Sequence, residues 1–378
     1  MRPTERALPC IRAIKPYQPG QLVSELARQL NISADDIIKL ASNENPLGMS
    51  ARAKAALLSA SLEAHRYPDQ FELSAALADK LSVRAEEIVL GNGSNDVLEL
   101  TARTFLGPGR SAIMSRHAFA VYSLVTQAVG ANCLFAAPTV NFGHDLAAMR
   151  ALLDAETSLI WIANPNNPTG TWLTPDELLG FMQSIPPDVI VVIDEAYNEY
   201  LPAPPQGKDD TVRWLDDFPN LIITRTFSKI YGLAGLRVGY AVTTQAMADL
   251  LHRVRQPFNV NGLALAAATA ALADGDFVAH SRELNQAGLA QLEAGIGKLG
   301  LRTLPAHANF ITMHAGDDSP QAADKLFASL QHEGIITRPL TSYQMPAWLR
   351  VTVGNEFEIE RLLSVLPKAL ATAGLIHQ

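Results

Sequence analysis

Residues 226–237 decide the fold, and they read Thr-Phe-Ser-Lys-Ile-Tyr-Gly-Leu-Ala-Gly-Leu-Arg. Apolar runs at 221–224 and 238–242 flank this stretch and predict two buried strands. Lys229 therefore stands alone on a connection between strands, among hydroxyl side chains, glycines and Arg237. An amine is a nucleophile only when it has lost its proton, so an enzyme that uses one lowers its pKa by burial or by a nearby cation. The stretch thus predicts a reactive lysine.

The surroundings of Lys229 also indicate what it would react with. Thr226, Ser228 and Arg237 are residue types that hold an anion such as a phosphate. A phosphate beside a lysine that binds a carbonyl group points to pyridoxal phosphate, held as a Schiff base. The alternative is a solvated lysine on a surface loop, which is the commoner role for any single lysine. The other motifs of the chain favour the cofactor.

The composition predicts a globular enzyme of the cytoplasm. The chain has 378 residues, too many for one small core, and 48% of them are apolar against 18% charged. The net charge of −8 argues against a nucleic-acid partner. Cys10 and Cys133 have neither metal-site nor redox spacing. No signal peptide is evident in residues 1–15, and the longest apolar segment, 262–273, is shorter than the roughly 20 residues of a membrane span.

Strands and helices alternate between residues 87 and 275, which predicts an α/β fold. Helical patterns separate apolar runs that predict strands at 88–90, 111–114, 159–163 and 189–193. Continuous β-branched runs of this kind are typical of a mostly parallel central sheet with helices on both faces. Ligands gather at the carboxyl ends of such strands. We expect one pocket to collect four residues that lie just beyond strand ends: Gly93, Asn167, Asp194 and Lys229.

Changes in pattern divide the chain into three regions. Residues 1–45 read as an arm and one helix that pack on a smaller domain, and residues 46–275 as a large α/β domain that binds the cofactor. Residues 276–378 open with a long helix and continue with short strands, one of them at 335–338, and with helices, the last of them at 356–375, which is typical of a smaller α+β domain. Within the large domain, the sequence Thr-Pro-Asp-Glu at 174–177 predicts a helix that begins with a capping box.

A glycine turn, Gly-Asn-Gly-Ser-Asn-Asp at 91–96, joins a predicted strand to a helix predicted at 97–105. Backbone N–H groups and the helix dipole favour an anion at such a helix N-terminus. One alternative is a simple helix cap by the side chain of Ser94 or Asn95. Another is a dinucleotide-binding oxidoreductase, but the turn lacks the third glycine of that fingerprint, and no acidic residue closes a second strand about 20 residues later.

Other residues supply the parts that pyridoxal phosphate needs. Asp194, at the end of a buried strand, can hold a proton on the pyridine nitrogen, which makes the ring an electron sink. Asn167 and Tyr197 can hydrogen-bond to the ring oxygen, and Phe119 can stack on the ring. Lys229, once released, can move a proton between the substrate and the cofactor. The phosphate would contact Gly93, Ser94, Asn95, Thr226, Ser228 and Arg237.

Together these motifs resemble the fold-type I aminotransferases, which depend on pyridoxal phosphate. The resemblance rests on Asn-Pro-Thr-Gly at 167–170, Asp-Glu-Ala-Tyr at 194–197, and Ser228-Lys229 with Arg237 eight positions after the lysine. Finer motifs are similar to the histidinol-phosphate aminotransferase family, and they lie at 42–46, 66–68, 91–94, 166–170, 226–237 and 349–354. The resemblance covers nearly the whole chain, so it implies the fold of that family: a large domain with a mostly parallel sheet and a smaller C-terminal domain.

The resemblance also implies roles for residues that the pattern alone does not assign. Tyr67 would reach the cofactor phosphate in the neighbouring subunit, so activity would require a homodimer with shared sites. Arg350 would bind the α-carboxylate of glutamate and, in the other half-reaction, the phosphate of histidinol phosphate. The implied substrate-binding residues are Tyr17, Asn43, Asn167, Arg338 and Arg350.

The implied reaction is a reversible ping-pong amino transfer between L-histidinol phosphate and 2-oxoglutarate in histidine biosynthesis. Its products are imidazole acetol phosphate and L-glutamate, and it needs no metal. An aromatic amino acid aminotransferase of the same subgroup is the main alternative, against which Arg338 and Tyr17 favour a phosphorylated substrate. A catalytically silent regulator with the same fold is disfavoured because both Lys229 and Asp194 are present.

Overall fold

The computed structural model describes residues 2–16, 20–202 and 211–375. Its strands are β1 (Ile38–Lys39), β2 (Ile88–Gly91), β3 (Ser111–Ser115), β4 (Asn132–Ala136), β5 (Thr157–Ala163), β6 (Ile190–Asp194), β7 (Leu221–Thr226), β8 (Gly239–Thr243), β9 (Phe310–His314), β10 (Ile335–Ile336), β11 (Arg338–Leu340) and β12 (Met345–Thr352). Its helices are α1 (Pro9–Ala13), α2 (Val23–Leu30), α3 (Ala51–Ser61), α4 (Phe71–Leu81), α5 (Ser94–Phe105), α6 (Ala120–Ala128), α7 (Leu146–Ala151), α8 (Pro175–Ser184), α9 (Gln245–Val254), α10 (Gly262–Leu272), α11 (Gly275–Lys298), α12 (Ala322–His332) and α13 (Glu356–Thr372).

A seven-stranded sheet forms the centre of the fold, in the order β2-β8-β7-β6-β5-β3-β4. Strand β8 runs antiparallel to β2 and β7, and the other neighbours are parallel. Strands β6 and β7 are buried along their whole length, because helices cover both faces of the sheet. This arrangement confirms the predicted α/β class with a mostly parallel sheet.

Two layers of helices pack on the central sheet. On one face α5, α6 and α9 contribute Val97, Tyr122 and Ala248 to the core. On the other face α3, α4, α8 and α10 pack against the sheet, and the alanine-rich α10 lies along α3. Small side chains at that contact let the two helices approach closely. The sheet is therefore enclosed, and only its edges and strand ends are left to bind ligands.

A smaller antiparallel sheet, in the order β11-β12-β9, packs with α11, α12 and α13 in the C-terminal part of the chain. The N-terminal segment joins this part through β1, which pairs in parallel with β10. Helix α2 packs beside the same strands, where Leu26 meets Ile336. Helix α1, in contrast, contacts α6 of the larger part.

Three predicted boundaries were wrong, each for a local reason. Helix α5 begins at Ser94 rather than near Val97, because the turn is complete at Gly93. The strand predicted at 335–338 is two short strands, because the chain leaves β1 and pairs with β12 instead. The last helix ends at Thr372, three residues earlier than predicted, and the chain then turns through Gly374 at a φ of 69°. The predicted capping box at Thr174 is confirmed.

No single helix of the described residues is long and apolar enough to cross a membrane. Helices α10 and α11 meet the length and composition criteria only when taken together, and that pair bends by 79° at its break. Within α10, Ala264, Ala267 and Ala271 are buried in the protein.

Candidate active site

The carboxyl ends of β2, β5, β6 and β7 lie at one edge of the central sheet, where a cavity of about 220 Å³ opens. The smaller sheet closes its other side with residues of β11 and β12. The cavity is lined by most of the predicted site residues: Asn43, Ser94, Asn95, Phe119, Asn167, Asp194, Tyr197, Thr226, Ser228, Lys229, Arg237, Arg338 and Arg350. Tyr17 lies outside the described residues. The fold thus brings together side chains as distant in sequence as Asn43 and Arg350.

Lys229 follows β7 and presents its amine to the cavity. Its Nζ donates a hydrogen bond to the backbone oxygen of Ser42 at 3.3 Å and lies 5.7 Å from the centre of the Tyr197 ring. Burial, together with a smaller effect of the positive charge of Arg350, lowers the pKa of Lys229 to about 8. The amine is therefore closer to its reactive, neutral form than an exposed lysine is.

Asp194 is the last residue of β6, and its two carboxylate oxygens have different surroundings. Tyr122 donates from Oη to Asp194 Oδ2 at 2.8 Å, while Oδ1 is buried with no hydrogen-bond partner among the described residues. Burial raises the pKa of Asp194, and the hydrogen bond from Tyr122 opposes that rise. One carboxylate oxygen is thus held in place while the other can receive a proton donor from the cavity.

The turn after β2 forms the anion-binding end of the cavity. Gly93 caps α5 with a φ of 78°, and a β-carbon there would overlap the guanidinium group of Arg237. Arg237 in turn donates from Nη1 to Ser228 Oγ at 3.3 Å. The alternative of a side-chain cap by Ser94 or Asn95 was wrong, because neither side chain caps the helix and both face the cavity instead. The N-terminus of α5 and the guanidinium group of Arg237 therefore face the same cavity.

Two arginines stand opposite each other at the other end of the cavity. Arg338 of β11 and Arg350 of β12 are paired across the antiparallel ladder, so their side chains leave the same face of the sheet. Arg350 donates to Asn167 Oδ1 and, at 2.6 Å, to the backbone oxygen of Ala41, and its guanidinium lies 5.3 Å from the centre of the Phe310 ring. Guanidinium groups bind carboxylates and phosphates through paired hydrogen bonds, so two arginines at one end of the cavity favour an anionic ligand.

Two predicted site residues, Asn43 and Tyr67, do not present a free side chain to the cavity of their own chain. Asn43 lines the cavity, but its side-chain amide is hydrogen-bonded to Tyr197 and Thr352 rather than open to a substrate. Tyr67 is 81% exposed, lies outside the cavity of its own chain and stacks on Phe258 with ring centres 4.4 Å apart. Its phenol is accessible to another molecule and not to the site formed by the same subunit.

Sequence reasoning missed Tyr122 and Thr352. Tyr122 follows Phe119 by one helical turn, so the i, i+3 spacing on α6 was the signal that both rings face the same cavity. Thr352 follows Arg350 by two positions, and alternate residues of a strand share a face. Both spacings become informative only after Phe119 and Arg350 have been assigned to the site.

The family comparison decides the class of the protein, since the model of "Aminotransferase class I and II" matches residues 35–366. The chain belongs to the class I and II aminotransferases. Members of this family use pyridoxal phosphate, so the predicted enzyme class and cofactor are confirmed. The dinucleotide-binding and regulatory alternatives are not supported.

Named relatives of this aminotransferase extend over almost its whole length. It is 54% identical to histidinol-phosphate aminotransferase 1 of Dechloromonas aromatica over 366 residues, and this alignment covers 97% of this chain and 99% of the relative. It is 50% identical over 367 residues to histidinol-phosphate aminotransferase 2 of Pseudomonas aeruginosa, covering 97% and 98% of the two chains. The crystal structure of histidinol-phosphate aminotransferase from Sinorhizobium meliloti in complex with pyridoxal-5'-phosphate matches with a TM-score of 0.87 and 27% identity, over 97% of this chain and 98% of that one. The predicted resemblance is confirmed.

The residues of this aminotransferase fit pyridoxal phosphate. The buried Oδ1 of Asp194 is available to a protonated ring nitrogen, which would satisfy it. The start of α5 and the Arg237 guanidinium can receive the phosphate, and Lys229 opens onto the same cavity. Among the described residues there is no cluster of side chains that could hold a metal ion.

Proposed function

We propose that this aminotransferase exchanges an amino group between L-histidinol phosphate and 2-oxoglutarate, as a step in histidine synthesis. One observation carries the chemistry: Lys229, Asp194 and two arginines line the same cavity. The pKa of the Lys229 amine is lowered to about 8, and Asp194 has a buried carboxylate oxygen with no hydrogen-bond partner among the described residues. The choice of substrate is supported by relatives of that name at 50% and 54% identity over nearly the whole chain. These relatives do not favour the aromatic alternative.

The binding roles of the cavity residues follow from their chemistry. Bound pyridoxal phosphate supplies an electron sink for the bonds broken at the substrate α-carbon. Asp194 would keep the ring nitrogen protonated, Asn167 and Tyr197 would hydrogen-bond to the ring oxygen, and Phe119 would pack on the ring. The phosphate would be held by the Gly93 turn and by Ser94, Asn95, Thr226, Ser228 and Arg237.

Lys229 would have two roles. Its Nζ would hold the cofactor covalently in the resting enzyme. When it is not linked to the cofactor, the same Nζ would take up and release the proton of the substrate α-carbon, as a general base and acid in turn. A pKa near 8 suits both steps, because the neutral and protonated amines are then both accessible close to neutral pH.

The facing arginines match the charges of the two proposed amino donors. Two guanidinium groups can share the dianionic phosphate of histidinol phosphate, or each can bind one carboxylate of glutamate. Phenylalanine and tyrosine each bring only one carboxylate, which a single guanidinium group can bind, so they would not engage both arginines. The pair therefore supports the phosphorylated substrate.

A comparison of half-reactions tests this proposal. The holoenzyme is mixed separately with L-histidinol phosphate, glutamate, phenylalanine and tyrosine, and conversion of the bound cofactor is followed by its absorption. We expect histidinol phosphate and glutamate to react fastest, and Arg338→Gln to slow histidinol phosphate much more than phenylalanine. Faster conversion by phenylalanine than by histidinol phosphate would establish the aromatic alternative instead.

The proposed assembly is a homodimer in which each subunit completes the other's site. Tyr67 is 81% exposed and lies outside the cavity of its own chain, as a residue serving the partner's cofactor phosphate would. Large apolar side chains nearby in sequence are also exposed, namely Leu58, Leu62 and Phe71. Apolar exposure on this scale is typical of a contact surface between subunits.

The proposed compartment is the cytoplasm. Cys10 and Cys133 are free thiols rather than a disulfide, which fits a reducing environment. The proposed substrates are small phosphorylated metabolites, which fits the same compartment.

A further inference from the structure

The side chain of Asn43 bridges two buried hydroxyl groups. Its Nδ2 donates to Tyr197 Oη at 2.8 Å, and its Oδ1 accepts from Thr352 Oγ1 at 3.1 Å. The backbone N–H of Asn43 also donates to Thr352 Oγ1, at 3.0 Å. Asn43 is 1% exposed, and Thr352 and Tyr197 are each 3% exposed, so solvent does not compete for these hydrogen bonds.

The backbone of Asn43 is held in an uncommon conformation. Its φ is 56°, in the left-handed region, which asparagine tolerates better than most residues. Asn309 fixes the peptide from another side by donating from Nδ2 to the Asn43 carbonyl at 3.0 Å. A residue held in this region by several buried contacts is typical of a position whose side chain must point in one direction.

The hydrogen-bond chain determines the direction in which the Tyr197 hydroxyl donates. Thr352 Oγ1 accepts from the Asn43 backbone, and among the described residues its own proton has Asn43 Oδ1 as its acceptor. The amide group is thereby oriented with Nδ2 toward Tyr197. Because the Tyr197 oxygen accepts from this amide, its own proton cannot point to Asn43 and is left to point into the cavity that Tyr197 lines.

We propose that Thr352 and Asn43 are positioning residues, which orient the Tyr197 hydroxyl so that it donates to the ring oxygen of the cofactor. The inference rests on the proposed function through the role assigned to Tyr197. It reassigns Asn43 from direct contact with substrate to the control of a cofactor contact. It also gives Thr352 a role in the site, which the sequence patterns do not.

The position of Thr352 links this chain of hydrogen bonds to the substrate end of the cavity. Thr352 and Arg350 are two residues apart on β12, so their side chains leave the same face of the strand. Both reach residues outside the smaller sheet, Arg350 at Asn167 and Thr352 at Asn43. One strand therefore holds the anion-binding arginine and orients the donor to the cofactor ring.

The spectroscopic pKa of the bound cofactor reports the proposed hydrogen bond. A hydroxyl that donates to the ring oxygen favours the form with more negative charge on that oxygen, so it lowers this pKa. Thr352→Val keeps the shape of the side chain but removes the hydroxyl, which frees the Asn43 amide to turn. Titration of holoenzyme absorption should show a pKa raised by roughly 0.5–1 unit, a size expected for one hydrogen bond.

Two controls separate this effect from a general loss of packing. Thr352→Ser keeps the hydroxyl and should titrate like the wild type. Thr243→Val removes another buried hydroxyl, which donates to the Leu221 carbonyl at the opposite end of β7 from Thr226, and should leave the cofactor pKa unchanged. The groups that bear or can bear charge near Tyr197, namely Lys229, Asp194, Arg350 and Tyr343, are the same in all these variants.

A double-mutant cycle with Tyr197→Phe tests whether Thr352 acts through Tyr197. Thr352→Val should shift the cofactor pKa in the wild type and cause no further shift when Tyr197 is already Phe. If Thr352→Val does not take up the cofactor, Asn43→Gly removes the amide while suiting the positive φ, and it should behave in the same way. The inference is overturned if Thr352→Val and Asn43→Gly both titrate like the wild type. It is also overturned if Thr352→Val shifts the cofactor pKa equally with Tyr197 and with Phe at position 197. The half-reaction of the wild type with histidinol phosphate is measured separately, so it still tests the proposed function.

Discussion

Lys229 is a cation in a site where a cation is poorly solvated. Burial lowers its pKa from the ordinary 10.5 to about 8. At pH 7 both the folded and the unfolded apo chain carry the protonated amine, so the folded chain bears the full cost of the buried charge. Between pH 8 and 10.5 the folded chain gives up its proton first, so stability rises with pH in that window and the cost vanishes above it.

Lys229→Met should therefore stabilise the apo protein. We expect its free energy of unfolding to exceed that of the wild type by on the order of 2 kcal/mol at pH 7, and the gain to shrink as the pH approaches 10.5. Urea denaturation at pH 7, 9 and 10.5 measures both quantities. Lys54→Met, at an exposed position on α3, is the control and should change stability little at any pH. A gain that does not depend on pH would contradict the account.

The sequence predicts the positions of some site residues, but not the hydrogen bonds between residues that are distant in the chain. Asp194 ends one strand and Lys229 follows another, and both strands have continuous apolar runs, so the place of these residues at the carboxyl ends of the strands was predictable. The hydrogen bond from Tyr122 to Asp194 joins α6 to β6, and no local pattern encodes it. The hydrogen bonds of Asn43 could not be predicted for the same reason, since its partners Tyr197 and Thr352 are distant in sequence.

At the scale of elements, the junction of β2 with α5 depends on one glycine. Gly93 has a φ of 78°, and its bare α-carbon lets the Arg237 guanidinium approach the helix N-terminus. The helix dipole and the arginine can then act on one phosphate. A side chain at this position would move Arg237 away from the anion site.

Gly93→Ala should weaken cofactor binding at least about tenfold, because it displaces a charged hydrogen-bond donor to the phosphate. Gly109→Ala is the matched control: its φ is 81°, similar to that of Gly93, but a β-carbon there meets nothing within 4 Å. Both variants carry the backbone strain of a left-handed alanine, on the order of 1 kcal/mol. Cofactor dissociation constants, measured by equilibrium dialysis, should rise only for Gly93→Ala; equal weakening in both would rule out the steric explanation.

The strands of the central sheet were more predictable than those of the smaller part. Strands β5, β6 and β7 are buried on both faces, so their sequences are continuous apolar runs. Strands β10 and β11 have only two and three residues, and their bounds depend on their partners β1 and β12. Pairing over such distances leaves no local signal, which is why the strand predicted there was wrong.

For the whole molecule, the account predicts that an intact site needs two subunits. Lys229→Ala removes the amine of one subunit, and Tyr67→Phe removes the phenol that would serve the partner. A hybrid dimer of these two variants contains one site with both defects and one site with neither. After mixing in equal amounts and exchange of subunits, about a quarter of the wild-type activity should return.

Each variant alone is the control for that mixture and should be far less active than the mixture. Native mass spectrometry, with one of the two variants labelled with heavy isotopes, establishes that the hybrid dimers form under the same conditions. No recovery of activity in demonstrated hybrids would mean that Tyr67 serves its own chain or no site at all. That result would leave the chemistry of Lys229 untouched.

The most direct measurement of the central claim is the site of covalent attachment of the cofactor. The holoenzyme is treated with borohydride, which reduces the link between lysine and cofactor, and the digested protein is analysed by mass spectrometry. We predict that the pyridoxyl group is found on Lys229, and that Lys229→Ala carries none. A pyridoxyl group on another lysine of the wild type, with Lys229 unmodified, would contradict the account.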